Sequence, residues 1–376
     1  MKEEIFNPFL INGYVSPEYF CGRENDTKKI ISGLENGRNI TLISPRRIGK
    51  TGLIHHVFYN VRKKDKNLNC FYFDIFATQN LYEFTVLFAK TIIGKLDNIS
   101  ESVIKRITQI FKGFNPTFSY DAVTGEPSVS FSFNPADAQQ NLEDIFAYLK
   151  NSKRNIYIAI DEFQQITEYP EKGVEALLRS HIQFLPNVKF IFAGSKKHIM
   201  DAMFSNANRP FYQSTQKLNL KEINIDSYRE FAVRFFKKSG KMLENTAFDY
   251  IYSQTMGYTW YIQIILNYLY TEAFNTITVK EVEIVIGNIL EEEKTTYKTY
   301  CEIITKGQLD LLRAIAKEKK VKETTNNEFI KKHNLTAPSS IRLARNSLQD
   351  KTLILKDDEG YYYVYDRFFS LWLERV

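Results

Sequence analysis

Residues 39–51 read Asn39-Ile-Thr-Leu-Ile-Ser-Pro-Arg-Arg-Ile-Gly-Lys-Thr51. Ile40 to Ile43 make a short apolar run, which suits a buried parallel strand because both faces of such a strand are covered. Beyond Thr51, the residues Leu53, Ile54, Val57, Phe58 and Val61 recur at helical spacing. The order is therefore strand, loop, helix. In that setting Ser44 to Thr51 matches the pattern GxxxxGK[ST] except at its first position, where Ser44 stands in place of Gly. Such a loop aims backbone N–H groups and a helix N-terminus at phosphates; Lys50 reaches the β and γ oxygens, and the Thr51 hydroxyl can ligate Mg²⁺. The expected nucleotide contacts are Ser44, Pro45, Arg46, Arg47, Ile48, Gly49, Lys50, Thr51 and Gly52. A residue with a Cβ at position 44 costs more than Gly if its φ is positive. The plainer alternative is a basic turn between a core strand and a surface helix.

A second anchor for the metal is expected on a neighbouring strand. Asn155 to Phe163, Asn-Ile-Tyr-Ile-Ala-Ile-Asp-Glu-Phe, is an apolar strand ending in two acids. Ligands gather at the carboxyl ends of parallel strands, so Asp161 and Glu162 emerge on the same edge as the loop after Ser44. Asp161 suits an indirect or water-mediated Mg²⁺ contact, and Glu162 suits a base that orients or polarises water. Taken alone, the two acids could simply cap the next helix. Val188 to Ala193 reads as a further strand, and in the turn Gly194-Ser195 the hydroxyl either sits near the γ-phosphate or the water or is simply a turn serine. Between these strands, Gly173-Val-Glu-Ala-Leu-Leu-Arg-Ser-His-Ile-Gln-Phe-Leu reads as a helix. Its Arg179 either stabilises charge on a γ-phosphate in trans or forms a surface ion pair.

Taken in order, Cys21-Gly-Arg-Glu24, Ser-Pro-Arg-Arg-Ile-Gly-Lys-Thr, Ile-Asp-Glu-Phe, Leu-Arg-Ser-His-Ile-Gln and Ile-Phe-Ala-Gly-Ser resemble the archaeal-type ATPases of the AAA+/STAND group of P-loop NTPases. The resemblance implies an α/β fold: a three-layer α/β/α P-loop domain with a mostly parallel sheet, then a helical lid and a winged helix-turn-helix. It also implies ATP or ADP with Mg²⁺ as ligands. Gly22, Arg23 and Glu24 become base-side or ribose-side residues, Ser195 the sensor and Arg179 a candidate finger. Two departures stand out. Ser44 replaces the first loop glycine, and Gly257-Tyr-Thr259 has Thr where many relatives carry the Pro of a lid GxP motif.

The remaining chain can be organised around that core. Asn69 to Ile75 reads as a strand, Leu81 to Ile93 as a helix and Leu218 to Ile223 as the last strand of the sheet. Residues 97–135 read as an insertion: a polar helical piece, then a hairpin around Asp121-Ala-Val-Thr-Gly-Glu-Pro127, suited to a partner contact or to covering a sheet edge. From Ile225 to about Glu293 the spacing is helical throughout. Helices near Leu309 to Ala316, Phe329 to Ile330 and Ser339 to Lys351 are followed by a two-stranded wing ending at Tyr365, the order of a winged helix. In the third helix Ile341, Ala344 and Leu348 face inward, and Arg342, Arg345, Asn346 and Gln349 share the outward face at i, i+3, i+4 and i+7. The expected domains are 1–224, 225–300 and 301–376.

The 376 residues are 44% hydrophobic, 14% aromatic and 25% charged, a composition that builds globular domains and does not suit disorder. Fifty Lys and Arg against forty-four Asp and Glu leave +6, a mild surplus that permits a polyanionic partner without requiring one. Residues 303–376 hold 14 basic against 10 acidic side chains. DNA binding through Arg342 and Arg345 is thus compatible, but the acidic wing tip repels phosphate, and the resemblance favours a winged helix packed on the nucleotide domain. Cys21, Cys70 and Cys301 are far apart, which argues against a disulfide framework or a structural zinc. No leader or membrane span is expected, so the reading is a cytoplasmic protein. The expectation is an ATP-binding switch with slow hydrolysis, acting on an unidentified protein partner with homo-oligomers allowed. A DNA-binding regulator with a structural nucleotide is the alternative, and a scaffold with a degenerate site the third.

Overall fold

The computed structural model describes residues 6–96, 115–120, 127–357 and 359–376. It divides into two compact units, Gly13–Glu222 and Met1–Asn12 with Ile223–Val376.

In the first unit, five strands form one parallel sheet: β1 (Ile40–Ile43), β2 (Asn69–Asp74), β5 (Ile156–Asp161), β6 (Val188–Gly194) and β7 (Gln216–Asn219), in the order β2-β5-β6-β1-β7. A separate antiparallel hairpin pairs β3 (Asn115–Tyr120) with β4 (Pro127–Ser132). It lies where the sequence predicts one, while its turn and the polar helical piece before it fall outside the described residues. The apolar strands are covered on both faces: every residue of β1 is buried, as is all of β5 except Tyr157. The registers Ile43↔Gly194, Ile160↔Phe192 and Asp74↔Asp161 bring the carboxyl ends of four strands to one edge. Strand β7 is shorter and earlier than the predicted Leu218 to Ile223. Among the described residues it pairs with β1 alone, and β1 leaves the sheet at Ser44, so the ladder ends at Ile43↔Asn219.

Helices pack around this sheet: α1 (Glu24–Glu35), α2 (Lys50–Lys64), α3 (Leu81–Leu96), α4 (Ala138–Asn151), α5 (Val174–Ile182) and α6 (Lys197–Ser205). Helix α2 buries Leu53, Ile54, Val57, Phe58 and Val61, the stripe its periodicity predicts. The core is unusually aromatic, with Phe163, Phe192, Phe204 and Phe211 in mutual ring contact.

The second unit is mainly helical: α7 (Ile225–Lys238), α8 (Asn245–Thr255), α9 (Thr259–Thr271), α10 (Val279–Glu292) and α11 (Lys294–Glu302), with a two-residue pairing of β8 (Met242–Leu243) and β9 (Thr276–Ile277). Residues 6–12 belong here because Phe9, fully buried, sits among Phe231, Phe235, Phe236 and Tyr270. Thr259 is the first residue of α9, a position whose N–H needs no helical partner, so the helix starts there without a Pro.

The winged helix comprises α12 (Lys306–Glu318), α13 (Asn327–Lys332), α14 (Pro338–Asp350), β10 (Ile354–Lys356), β11 (Tyr362–Val364) and a further helix, α15 (Arg367–Arg375). Arg367 is 3% exposed and ties α15 to α8 through its Nε, which donates to the Gln254 carbonyl at 2.6 Å. On α14, Ile341 and Leu348 are buried as predicted while Ala344 is half-buried, and the shared outward face of Arg342 and Arg345 is a correction. Arg342 is exposed, whereas Arg345 borders the buried stripe and lays its guanidinium over the Tyr362 ring, 5.1 Å from the centroid. Among the described residues no helix is long and apolar enough to cross a membrane.

Candidate nucleotide site

At the common strand edge, Ser44 N–H donates to the Gly194 carbonyl at 3.2 Å, so the loop leaves β1 still attached to β6. Ser44 keeps a negative φ; the left-handed residues of the loop are Arg47 (φ 69) and Gly49 (φ 94). The feared penalty of a Cβ at position 44 therefore does not arise. Left-handed turns next to helical backbone curl N–H groups inward into an anion-binding nest, and α2 begins immediately after, at Lys50. Ile48, 1% exposed, anchors the loop from below.

Lys50 is itself buried, and its Nζ lies 2.7 Å from Asp161 Oδ1 and 3.4 Å from Glu162 Oε1. Thr51 Oγ1 and Tyr72 OH both donate to Asp161 Oδ2 at 3.0 Å. Glu162 stands in a left-handed conformation, φ 54, and its Oε2 accepts from Ser195 Oγ at 2.6 Å and from Gln164 Nε2 at 2.5 Å. Arg46 Nε is 4.0 Å from Glu162 Oε1, with its guanidinium 4.8 Å over the half-exposed Phe76 ring. Burial pushes both carboxyls upward, but the Lys50 charge and their hydrogen bonds outweigh it, so Asp161 and Glu162 are each held below the ordinary carboxylate range. Tyr72 moves the other way: burial and the Asp161 charge raise its phenol, which stays a donor at neutral pH. The donor set, one hydroxyl and one carboxylate already in contact, is the oxygen chemistry that Mg²⁺ takes, and the loop is a cradle for phosphate.

Residues 20–265 match the family described as an ATPase domain predominantly from Archaea, and residues 295–375 match a probable winged helix domain. The chain belongs to this archaeal ATPase family. Among solved structures it is similar to a Walker-type ATPase of Pyrococcus abyssi, at 18% identity and TM-score 0.61 over 98% of this chain and 100% of that one. The ORC2 protein of Aeropyrum pernix, solved in ADPNP and ADP complexes, aligns at 15% identity and TM-score 0.53, covering 98% and 96%. The ORC1 protein of the same organism, solved with DNA, aligns at 11% and 0.53 over the same shares. No curated protein matches the chain.

Within this ATPase fold the sequence-predicted residues are not all gathered in one place. Lys50, Thr51, Asp161, Glu162 and Ser195 converge. Arg23, expected on the base side, has its guanidinium engaged elsewhere: it is 4% exposed and donates to the Lys221 carbonyl at 2.6 Å and to the Ile48 carbonyl at 3.0 Å. It thus holds the phosphate loop to the chain leaving β7. Gly22 makes the preceding left-handed turn (φ 67), and Phe20 stacks on His56 of α2 at 4.3 Å, which brings this segment beside Gly52. Glu24 is exposed at the start of α1. Arg179 lines a cavity with Gly37, Asn39 and Lys189, at the amino ends of β1 and β6. That is the opposite edge of the sheet, roughly 20 Å away along six or seven strand residues. There Arg179 Nη1 donates to Gln183 Oε1 at 3.1 Å, so it cannot serve the site of its own chain.

Tyr72 and Gln164 are the site residues that sequence reasoning missed. Tyr72 is a polar-tipped residue in an otherwise apolar strand, a faint signal. Gln164 carried none, because its role depends on a side chain that turns back two residues.

Proposed function

We propose that this protein binds ATP with Mg²⁺ at the phosphate loop, hydrolyses it slowly, and uses the nucleotide state as a switch for a partner. The convergence of Lys50, Thr51, Asp161, Glu162 and Ser195 carries the reading. Thr51 and Asp161 would hold Mg²⁺, which when bound neutralises charge on the phosphates. Lys50 is the fixed cation of the β and γ oxygens. Glu162, ionised at neutral pH, accepts a hydrogen bond from water through Oε1 and aligns it, while Ser195 keeps the carboxylate turned toward the loop. Arg179 is proposed to act only on the nucleotide of a neighbouring copy, and the three-part division at 225 and 301 remains part of this proposal.

Equilibrium binding of a fluorescent ATP analogue tests the site. Lys50→Ala removes the buried cation, and affinity is expected to fall; an unchanged affinity would remove the assignment. A second reading, DNA binding through the winged helix, has Arg342 in its favour, exposed on α14. Against it, the wing turn carries Asp357 and Glu359, which repel phosphate.

A further inference from the structure

Gln164 lies in the 3-10 turn Phe163–Glu168, directly after the acidic pair. Its side chain is 2% exposed and turns back to donate from Nε2 to Glu162 Oε2 at 2.5 Å. A carboxylate only accepts, so the amide nitrogen must be the donor. Ser195 Oγ donates to the same oxygen. Both donors therefore occupy Oε2, and Oε1 is left facing Lys50 and Arg46. At the other end of the amide, Gln164 Oε1 is buried without a hydrogen-bond partner. An apolar residue of similar volume would avoid that orphaned acceptor, so packing alone does not explain a glutamine here. The end of β6 is shaped to admit it: a Cβ on Gly194 would stand 2.4 Å from Gln164 Oε1 and 2.5 Å from Met200 Sδ.

We propose that Gln164 is a positioning residue for Glu162, and that Gly194 is the clearance that lets it act. By holding Oε2, the amide makes Oε1 the oxygen presented to water. The inference deepens the ATPase reading and rests on it.

The test compares ATP-analogue affinity, kcat and KM for the full chain and its Glu162→Gln, Gln164→Leu, Gln164→Glu and Gly194→Ala variants. Gln164→Leu is expected to lower kcat roughly tenfold, the scale of one lost hydrogen bond to a charged group. Affinity and KM should stay within about twofold, the split expected of a group that orients Glu162 without touching nucleotide. Gln164→Glu keeps the shape but replaces the donating amide with a second carboxyl against Oε2, so its kcat should fall at least as far. Gly194→Ala should copy Gln164→Leu, with the double variant no worse than either single one. If Gly194→Ala does not fold, the two Gln164 variants decide alone. An unmoved kcat in Gln164→Leu, beside a crippled Glu162→Gln, would overturn the inference while leaving the ATPase reading intact. Parallel loss of affinity and kcat would also overturn it, as the mark of a purely structural role. A native rate in Glu162→Gln would remove the base assignment itself, and this inference with it.

Discussion

Glu162 is held in a backbone conformation that a non-glycine residue adopts at a cost of about 1–3 kcal/mol when the surroundings impose it. The carboxylate that results faces the loop, the orientation that the proposed hydrolysis would use. Glu162→Gln keeps the shape and loses the charge, so nucleotide should stay bound while turnover falls about 10²-fold or more, measured by phosphate release. Asp161→Asn should instead weaken the Mg²⁺ dependence of turnover. Acidity supplies a second check. Asp161 and Glu162 are both held below their unfolded values, so each adds stability that is fully present above about pH 4 and is lost as pH falls through the folded value. Lys50→Met removes the cation responsible and leaves burial to raise both groups. Melting temperatures followed from pH 7 to pH 3 should therefore fall for the native chain and fall far less, or rise, for Lys50→Met. Ser44 is a different case: its φ is ordinary and its buried hydroxyl has no partner. Ser44→Ala should leave stability equal or higher, whereas Ser44→Gly should cost about 0.5–1 kcal/mol through the freer unfolded chain. Thermal melts would distinguish them.

At the scale of elements, α14 shows how far a helical wheel can be trusted. Its spacing placed Ile341 and Leu348 inward correctly, because i and i+7 share a face whatever the neighbours do. It could not tell that Arg345, on the border of that stripe, would bend its stem toward β11 and rest on Tyr362. The two arginines should behave differently. Arg345→Ala should lower stability by about 0.5–1 kcal/mol, the worth of an exposed cation–π contact, and Arg342→Ala should change it by less than about 0.5 kcal/mol. If the winged helix reads DNA, Arg342→Ala alone should reduce the slope of log K against log salt by about 0.9, and fluorescence anisotropy over a salt series would show it. The same lesson holds for β7, whose length was decided by the partner strand rather than by its own residues.

For the whole molecule, the position of Arg179 makes the clearest statement. It sits at the amino edge of the sheet and the phosphate loop at the carboxyl edge, so any part it plays in hydrolysis needs a second copy. Turnover per chain should then rise with protein concentration, and mass in solution should increase with a non-hydrolysable ATP analogue relative to ADP. Arg179→Ala should flatten the concentration dependence without altering nucleotide affinity. A rate per chain that is constant over a hundredfold dilution, and identical in Arg179→Ala, would assign Arg179 to its Gln183 contact alone. What the linear chain determined by itself was whatever depends on neighbours in sequence: the strand-loop-helix around Lys50-Thr51, the acids ending β5, the helical stripes and the helix-helix-helix-hairpin order. Those features rest on periodicity and local backbone geometry, which a window of a dozen residues contains. Only the tertiary structure decided that Arg23 ties Ile48 to Lys221, that Tyr72 reaches Asp161 and that Ser195 and Gln164 meet on one oxygen of Glu162. The Arg23, Tyr72 and Ser195 contacts join residues 25 to 198 positions apart, and no local preference encodes which long side chain will find which buried carbonyl or carboxylate. Gln164 lies only two positions from Glu162, yet its side chain takes that path because Gly194, on another strand, leaves the space for it.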